Sequence, residues 1–95
     1  MHVISCKKLK EAALRYGNLE GPLDAWFRIA KKATWKNLAD VRQTFATADA
    51  VGDWTIFNIK GNQYRLIAEI NCTFRRIYFR HVLTHAEYDL GRWKR

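Results

Sequence analysis

The side chains best suited to chemistry stand from position 60 onward: Lys60, Arg65, Arg75, Arg76 and Arg80, then His85 and Tyr88. Guanidinium groups offer paired donors that match phosphate oxygens. Imidazole is the side chain most used to move protons near neutral pH. Such a set suits work on a phosphate ester, and each member also has a plainer reading. Arg65, between Tyr64 and Leu66, is either a phosphate clamp or a solvated arginine paired with Glu69 or an acid on a neighbouring strand. His85 is either an acid–base group or an exposed residue at the start of a helical turn. The positive end of that turn and the arginines nearby favour the neutral, proton-accepting imidazole. Tyr88 follows three residues later on the same helical side.

Other chemistries find no support in the spacing. There is no P-loop, GxGxxG, HExxH or GxSxG pattern, so no cofactor is expected. The three His are far apart, and Cys6 and Cys72 lack CxxC spacing, so no metal site is expected either. Both cysteines read as free, partly buried thiols of a reducing compartment.

These residues need elements to hold them. Trp54–Ile59, Tyr64–Asn71 and Ile77–Leu83 are rich in β-branched and aromatic residues and read as strands. Lys60–Gln63 is a compact hairpin turn and Asn71–Arg75 a looser one. Alternation puts Tyr64, Leu66, Ala68 and Ile70 on one face of the middle strand, with Arg65, Ile67 and Glu69 on the other. Thr84-His85-Ala86-Glu87 has capping-box spacing, so a helical turn begins at His85. The tail Gly91–Arg95 is basic and is expected to be mobile apart from Trp93.

Upstream, His2–Ser5 is a short strand candidate, with Ser5 as a cap for the next helix. Cys6–Tyr16 carries Leu9, Ala12, Ala13 and Tyr16 on one helical stripe. Pro22 suits the first position of a second helix, where its missing N–H costs nothing. That helix aligns Leu23, Trp26, Phe27, Ala30 and Ala33, with Arg28, Lys31 and Lys32 mostly off the stripe. Asn37 caps a short helix through Phe45, with Leu38, Val41 and Phe45 inward. The predicted order is β-α-α-α-β-β-β plus a short helical end: an α+β fold with N-terminal helices on one face of an antiparallel sheet. The other sheet face is expected to be open to a ligand.

Ninety-five residues make a single domain, residues 1–95, of modest stability. Seventeen Lys+Arg against nine Asp+Glu give a formal charge of +8, which favours a nucleic acid or an acidic protein as partner. No run approaches the ~20 apolar residues of a membrane span, so no membrane partner is expected. Lys7, Lys8 and Lys10 interrupt any signal-peptide core, which makes a cytoplasmic location the default.

Two windows, Ile56–Ile67 and Tyr78–Asp89, resemble the HigB toxin family. Its pattern reads roughly FN-(I/V)-x-G-N-x-(Y/L)-R-(L/V), then Y-x-R-x-V-x-T-H-x-E-Y-D, and the resemblance covers essentially the whole chain. It implies a RelE-like fold and an endonuclease acting on mRNA, commonly at the ribosome, neutralised by a helix-turn-helix antitoxin. In RelE the arginine matching Arg65 contacts the scissile phosphate, while a C-terminal Lys/Arg cluster stands where this chain has Thr84-His85. The reaction implied is attack of the RNA 2′-OH on phosphorus, giving a 2′,3′-cyclic phosphate and a 5′-OH. Within it Arg65 would stabilise charge, with Lys60 or Arg80 assisting, His85 would move protons, and Tyr88 would position phosphate or share the proton transfer. Arg75 and Arg76 would add phosphate contacts. A gyrase-directed toxin of the same fold, or a non-catalytic module docking on ribosomal RNA, are the alternatives.

Overall fold

A computed structural model describes residues 1–4, 6–61 and 63–94. Helices α1 (Cys6–Arg15), α2 (Glu20–Lys32) and α3 (Leu38–Thr44) follow a first strand, β1 (His2–Ile4). Strands β2 (Asp49–Val51), β3 (Trp54–Ile59), β4 (Tyr64–Asn71) and β5 (Arg76–Thr84) come next. Helix α4 (His85–Leu90) and a 3₁₀ turn at Arg92–Lys94 finish the chain. Among the described residues the sheet runs β1-β5-β4-β3-β2. Strands β3, β4 and β5 form the expected antiparallel meander, β2 pairs antiparallel with β3, and β1 joins β5 in parallel at the edge. The fold is therefore α+β with a mixed sheet.

The amphipathic stripes explain why the helices settle on one face. Leu9 of α1, Leu23, Trp26 and Ala30 of α2, and Val41 of α3 are buried against Phe57, Ile59, Leu66, Ala68, Ile77 and Phe79. The rings of Trp26, Phe45 and Trp35 lie 5.5, 5.1 and 6.2 Å from the Phe57 ring, so large rings fill the space between layers. Asn37 caps α3 as expected, its side chain accepting from Asp40 N at 2.9 Å. Helix α2 begins two residues before Pro22, its first bond running from Leu23 N to Leu19 O. Pro22 still lies in the first turn, where no intrahelical acceptor is needed. The cap expected from Ser5 falls outside the described residues.

Two features depart from the expected meander. The short strand β2 has no strong alternation, and it exists because Asp49, Ala50 and Val51 pair with Ile56, Thr55 and Trp54. Strand β5 carries a bulge: Phe79 pairs with Ala68 and His81 with Ile67, leaving Arg80 as the extra residue. The bulge lets Phe79 and Val82, three apart, both bury in the same core.

The face away from the helices is not fully open. Ile56, Ile67 and Trp93 are buried there, with Val51, Trp54, Leu83 and Tyr88 packed around them. Trp93 is only 6% exposed, and its indole N–H donates to Tyr88 O at 2.9 Å. The tail is therefore anchored through the 3₁₀ turn rather than loose, while Arg95 lies outside the described residues. Among the described residues, no helix is long and apolar enough to cross a membrane.

Candidate active site

The site is built where β4, β5, α4 and the β3–β4 turn meet. Thr84 ends β5 and caps α4, with its hydroxyl accepting from Glu87 N at 3.2 Å. Glu87 Oε1 returns the bond, accepting from Thr84 N and Thr84 Oγ1, both at 3.1 Å. Tyr16, at the end of α1, donates to the same oxygen at 3.2 Å. The Thr84 backbone N–H bond is the main cause that holds the Glu87 carboxyl below its ordinary range. Burial, then Glu87, pushes the Tyr16 phenol up. Gly91 closes the helix at φ 73°, a left-handed C-cap that glycine adopts without strain.

That cap fixes the first turn of α4 and so places His85 and Tyr88. The His85 backbone N–H donates to Gln63 O at 3.1 Å, which ties α4 to the turn carrying Lys60. In that turn Lys60 and Gly61 both have positive φ, 53° and 66°; Asn62, part of the expected turn signal, lies outside the described residues. A lysine in the left-handed region is strained, as residues at functional sites often are. His85 Nδ1 lies 2.9 Å from the Asp89 carboxylate. That contact orients the ring and leaves Nε2 as the nitrogen for proton exchange with a ligand.

Arg65 is half-buried on the strand face away from the helices. Its Nη1 donates to Tyr64 O at 3.3 Å, and its guanidinium lies over the Tyr88 ring at 5.6 Å. The other side of the cluster is a stack of Tyr88 on Trp93, 5.1 Å between centroids at 13°. Burial, helped by Asp49, raises the Tyr88 phenol, so at neutral pH it keeps its proton and acts as a donor.

The cations named from sequence separate into three places. Lys60 and Arg65 stand with His85 and Tyr88 at one end of the β4–β5 hairpin. Arg75 and Arg76 are exposed at the opposite end, where Arg76 pairs with Asn71 and Arg75 has φ 55°. Arg80 sits between, with its Nε 3.0 Å from Glu69 Oε1 and its guanidinium 5.4 Å from the Tyr78 ring. Glu69 thus serves Arg80, not Arg65. Asp89 went unassigned in sequence although His85 and Asp89 have the i,i+4 spacing that lets side chains meet. Trp54, 5.5 Å from Trp93, gave no local signal, because its partner comes from the far end of the chain.

Among the described residues no cluster of His, Cys, Asp and Glu is arranged to hold a metal ion. Cys72 is a free, half-buried thiol whose pKa burial pushes up. A groove runs between α1 and α2, lined by Leu9, Ala13, Leu14, Leu23 and Phe27, on the side away from this chemistry. None of those lining residues belongs to the candidate site, whose side chains stand on the opposite sheet face and on α4.

The HigB toxin family, described as the RelE-like toxic component of a toxin–antitoxin system, matches residues 19–91. The mRNA interferase HigB of Escherichia coli O6:H1 is 32% identical over 92 residues, covering 94% of this chain and 89% of the relative. The mRNA interferase toxin HigB of Escherichia coli strain K12 and the mRNA interferase HigB of Shigella flexneri are each 32% identical, over 94% of this chain and 88% of theirs.

Proposed function

This chain belongs to the HigB family of RelE-like toxins, and on that premise we propose that it is an mRNA interferase whose RNA-cleaving centre is Arg65, His85 and Tyr88. The relatives named as mRNA interferases cover nearly the full chain. The observation that carries the reading is the seating of the Arg65 guanidinium over Tyr88, on the same short helix that holds His85 against Asp89.

In this reading the 2′-OH of RNA attacks the adjacent phosphorus and the 5′ oxygen leaves. His85 Nε2 removes or returns the proton, with Asp89 keeping the ring oriented. Arg65 stabilises charge on the phosphorane, a guanidinium fork held by strand and ring. Tyr88, protonated at neutral pH, donates to a phosphate oxygen or to the leaving oxygen. Lys60 draws the backbone in from the adjoining turn, and Arg75, Arg76 and Arg80 contact phosphates further along. No metal or cofactor is required of any step. Residues 1–95 act as one cytoplasmic toxin domain, working on mRNA at the ribosome and held inactive by a helix-turn-helix antitoxin.

Single-turnover cleavage beside RNA affinity tests the assignment. Arg65→Ala should lose roughly 10²–10³ in rate, as for one charge-stabilising donor. His85→Ala should lose roughly 10²–10⁴ with affinity little changed. Lys31→Ala, on the exposed side of α2, should change only salt-dependent affinity. Wild-type cleavage by His85→Ala would remove it from the mechanism and leave Tyr88 as the proton donor. Intact mRNA alongside DNA damage after induction would favour a gyrase-directed toxin. Parallel loss of binding and cleavage in all three variants would favour a docking module.

A further inference from the structure

Three arginines of the β4–β5 hairpin each lie over an aromatic ring. Arg65 is 5.6 Å from Tyr88, Arg80 is 5.4 Å from Tyr78, and Arg76 is 5.9 Å from Phe74. The register puts them along one face. Arg65 shares the side of β4 with Ile67, which is buried under Trp93 and Tyr88. Tyr78 is the cross-strand partner of Glu69, and Arg76 of Asn71, on that same alternating side. The series runs from the candidate cleavage centre to the β4–β5 turn, six residues of strand or about 20 Å.

The far end of this series has no structural explanation in the core. Phe74 is 67% exposed and belongs to neither buried cluster. The turn is nevertheless held in shape: Asn71 Oδ1 accepts from Phe74 N at 3.1 Å, and Arg75 O accepts from His2 N at 2.8 Å. Arg75 takes a left-handed conformation there. A fixed, exposed ring beside two exposed arginines is what a nucleotide base and its phosphates would need. The middle pair is partly neutralised by Glu69, so the two ends should carry most of the affinity.

We propose that this face of the hairpin is a track for the substrate RNA strand, with Phe74, Arg75 and Arg76 forming a docking site for a nucleotide remote from the scissile phosphate. The inference rests on the RNA-cleaving reading above for its direction, and it commits to the substrate strand itself as occupant. Bases stack on Phe74 while the guanidinium groups of Arg75 and Arg76 take phosphates; nothing at this end reacts.

The probe is 2′-O-methyl RNA of mixed sequence, which lacks the attacking hydroxyl, in lengths of about four and about twelve nucleotides. Phe74→Ala and Arg76→Ala should weaken the longer RNA by about tenfold and leave the shorter unchanged. Phe74→Trp should keep or improve the longer one's affinity, and Arg65→Ala should weaken both. Equal loss at both lengths, or no loss at either, overturns the track. So does a loss seen only in the presence of ribosomes, which would assign the tip to ribosomal RNA. Loss of affinity for the antitoxin with RNA binding intact would make the tip a protein surface and overturns it too. Length-dependent binding of this probe, with unmodified RNA left intact in the single-turnover assay, would leave the track standing and defeat the catalytic reading, so the two failures are separable.

Discussion

Glu87→Gln is the most informative single change outside the reacting groups. One carboxylate oxygen accepts three bonds, from Thr84 N, Thr84 Oγ1 and the Tyr16 phenol. A helix cap contributes about 1 kcal/mol. The Tyr16 bond to a charged acceptor adds about 1 kcal/mol more after allowance for partial exposure. Glutamine keeps the shape but loses the charge, so the variant should be roughly 1–2 kcal/mol less stable at pH 7. For a domain of this size that lowers Tm by about 5–10 °C. The pH dependence follows from the depressed pKa. Because folding holds the carboxyl below its ordinary value of 4.5, its stabilisation is fully present above that value. It is lost as pH falls through the folded value. Thermal unfolding followed by circular dichroism from pH 7 to pH 3 should show the two proteins converging at the acid end. Equal stability at pH 7, or a gap that does not narrow in acid, would show that this carboxylate does not hold α4 as described.

Asp89→Asn should leave folding intact and slow single-turnover cleavage with RNA affinity unchanged, since it frees the His85 ring rather than a phosphate contact; an unchanged rate refutes that positioning role. Trp93→Ala should cost about 3–5 kcal/mol in chemical denaturation, because it empties the buried cluster beneath Tyr88; a cost below about 1 kcal/mol would mean the C-terminal turn does not pack as seen. Trp26→Phe should be mild, on the order of 1 kcal/mol, because Trp26 Nε1 is buried with no hydrogen-bond partner among the described residues. A loss as large as for a fully satisfied tryptophan would show that this N–H is paired in solution.

Local signals carried most of the architecture. The stripes in α1 and α2, the Asn37 cap and the Thr84–Glu87 box are written in residues three or four apart, and each formed where its spacing placed it. Strand β2 was invisible because Asp49–Val51 has no pattern of its own and is defined by its pairing with β3. The bulge at Arg80 was equally hidden, since it arises from two core positions competing across β4 and β5. For the candidate site, sequence named the residues that gather at one end of the hairpin but could not sort the cations. Which arginine receives Glu69 is decided by strand register, and register is a property of the folded sheet. The covering of the second face by Trp93 likewise depends on a contact with Trp54 that no local window contains.

The parallel pairing of β1 with β5 bears on the order of events during synthesis. The first strand finds its partner only in β5, so the helices emerge well before the last strand that covers their apolar stripes. All the residues assigned to cleavage lie in or after the β3–β4 turn, and their alignment depends on the final helix and on Trp93 closing beneath it. On the reading proposed above, a nascent chain cannot assemble its cleavage centre until α4 and Trp93 have been made. The centre thus forms only when these segments close over β4 and β5, and a partner that blocks it would first find its target at that point.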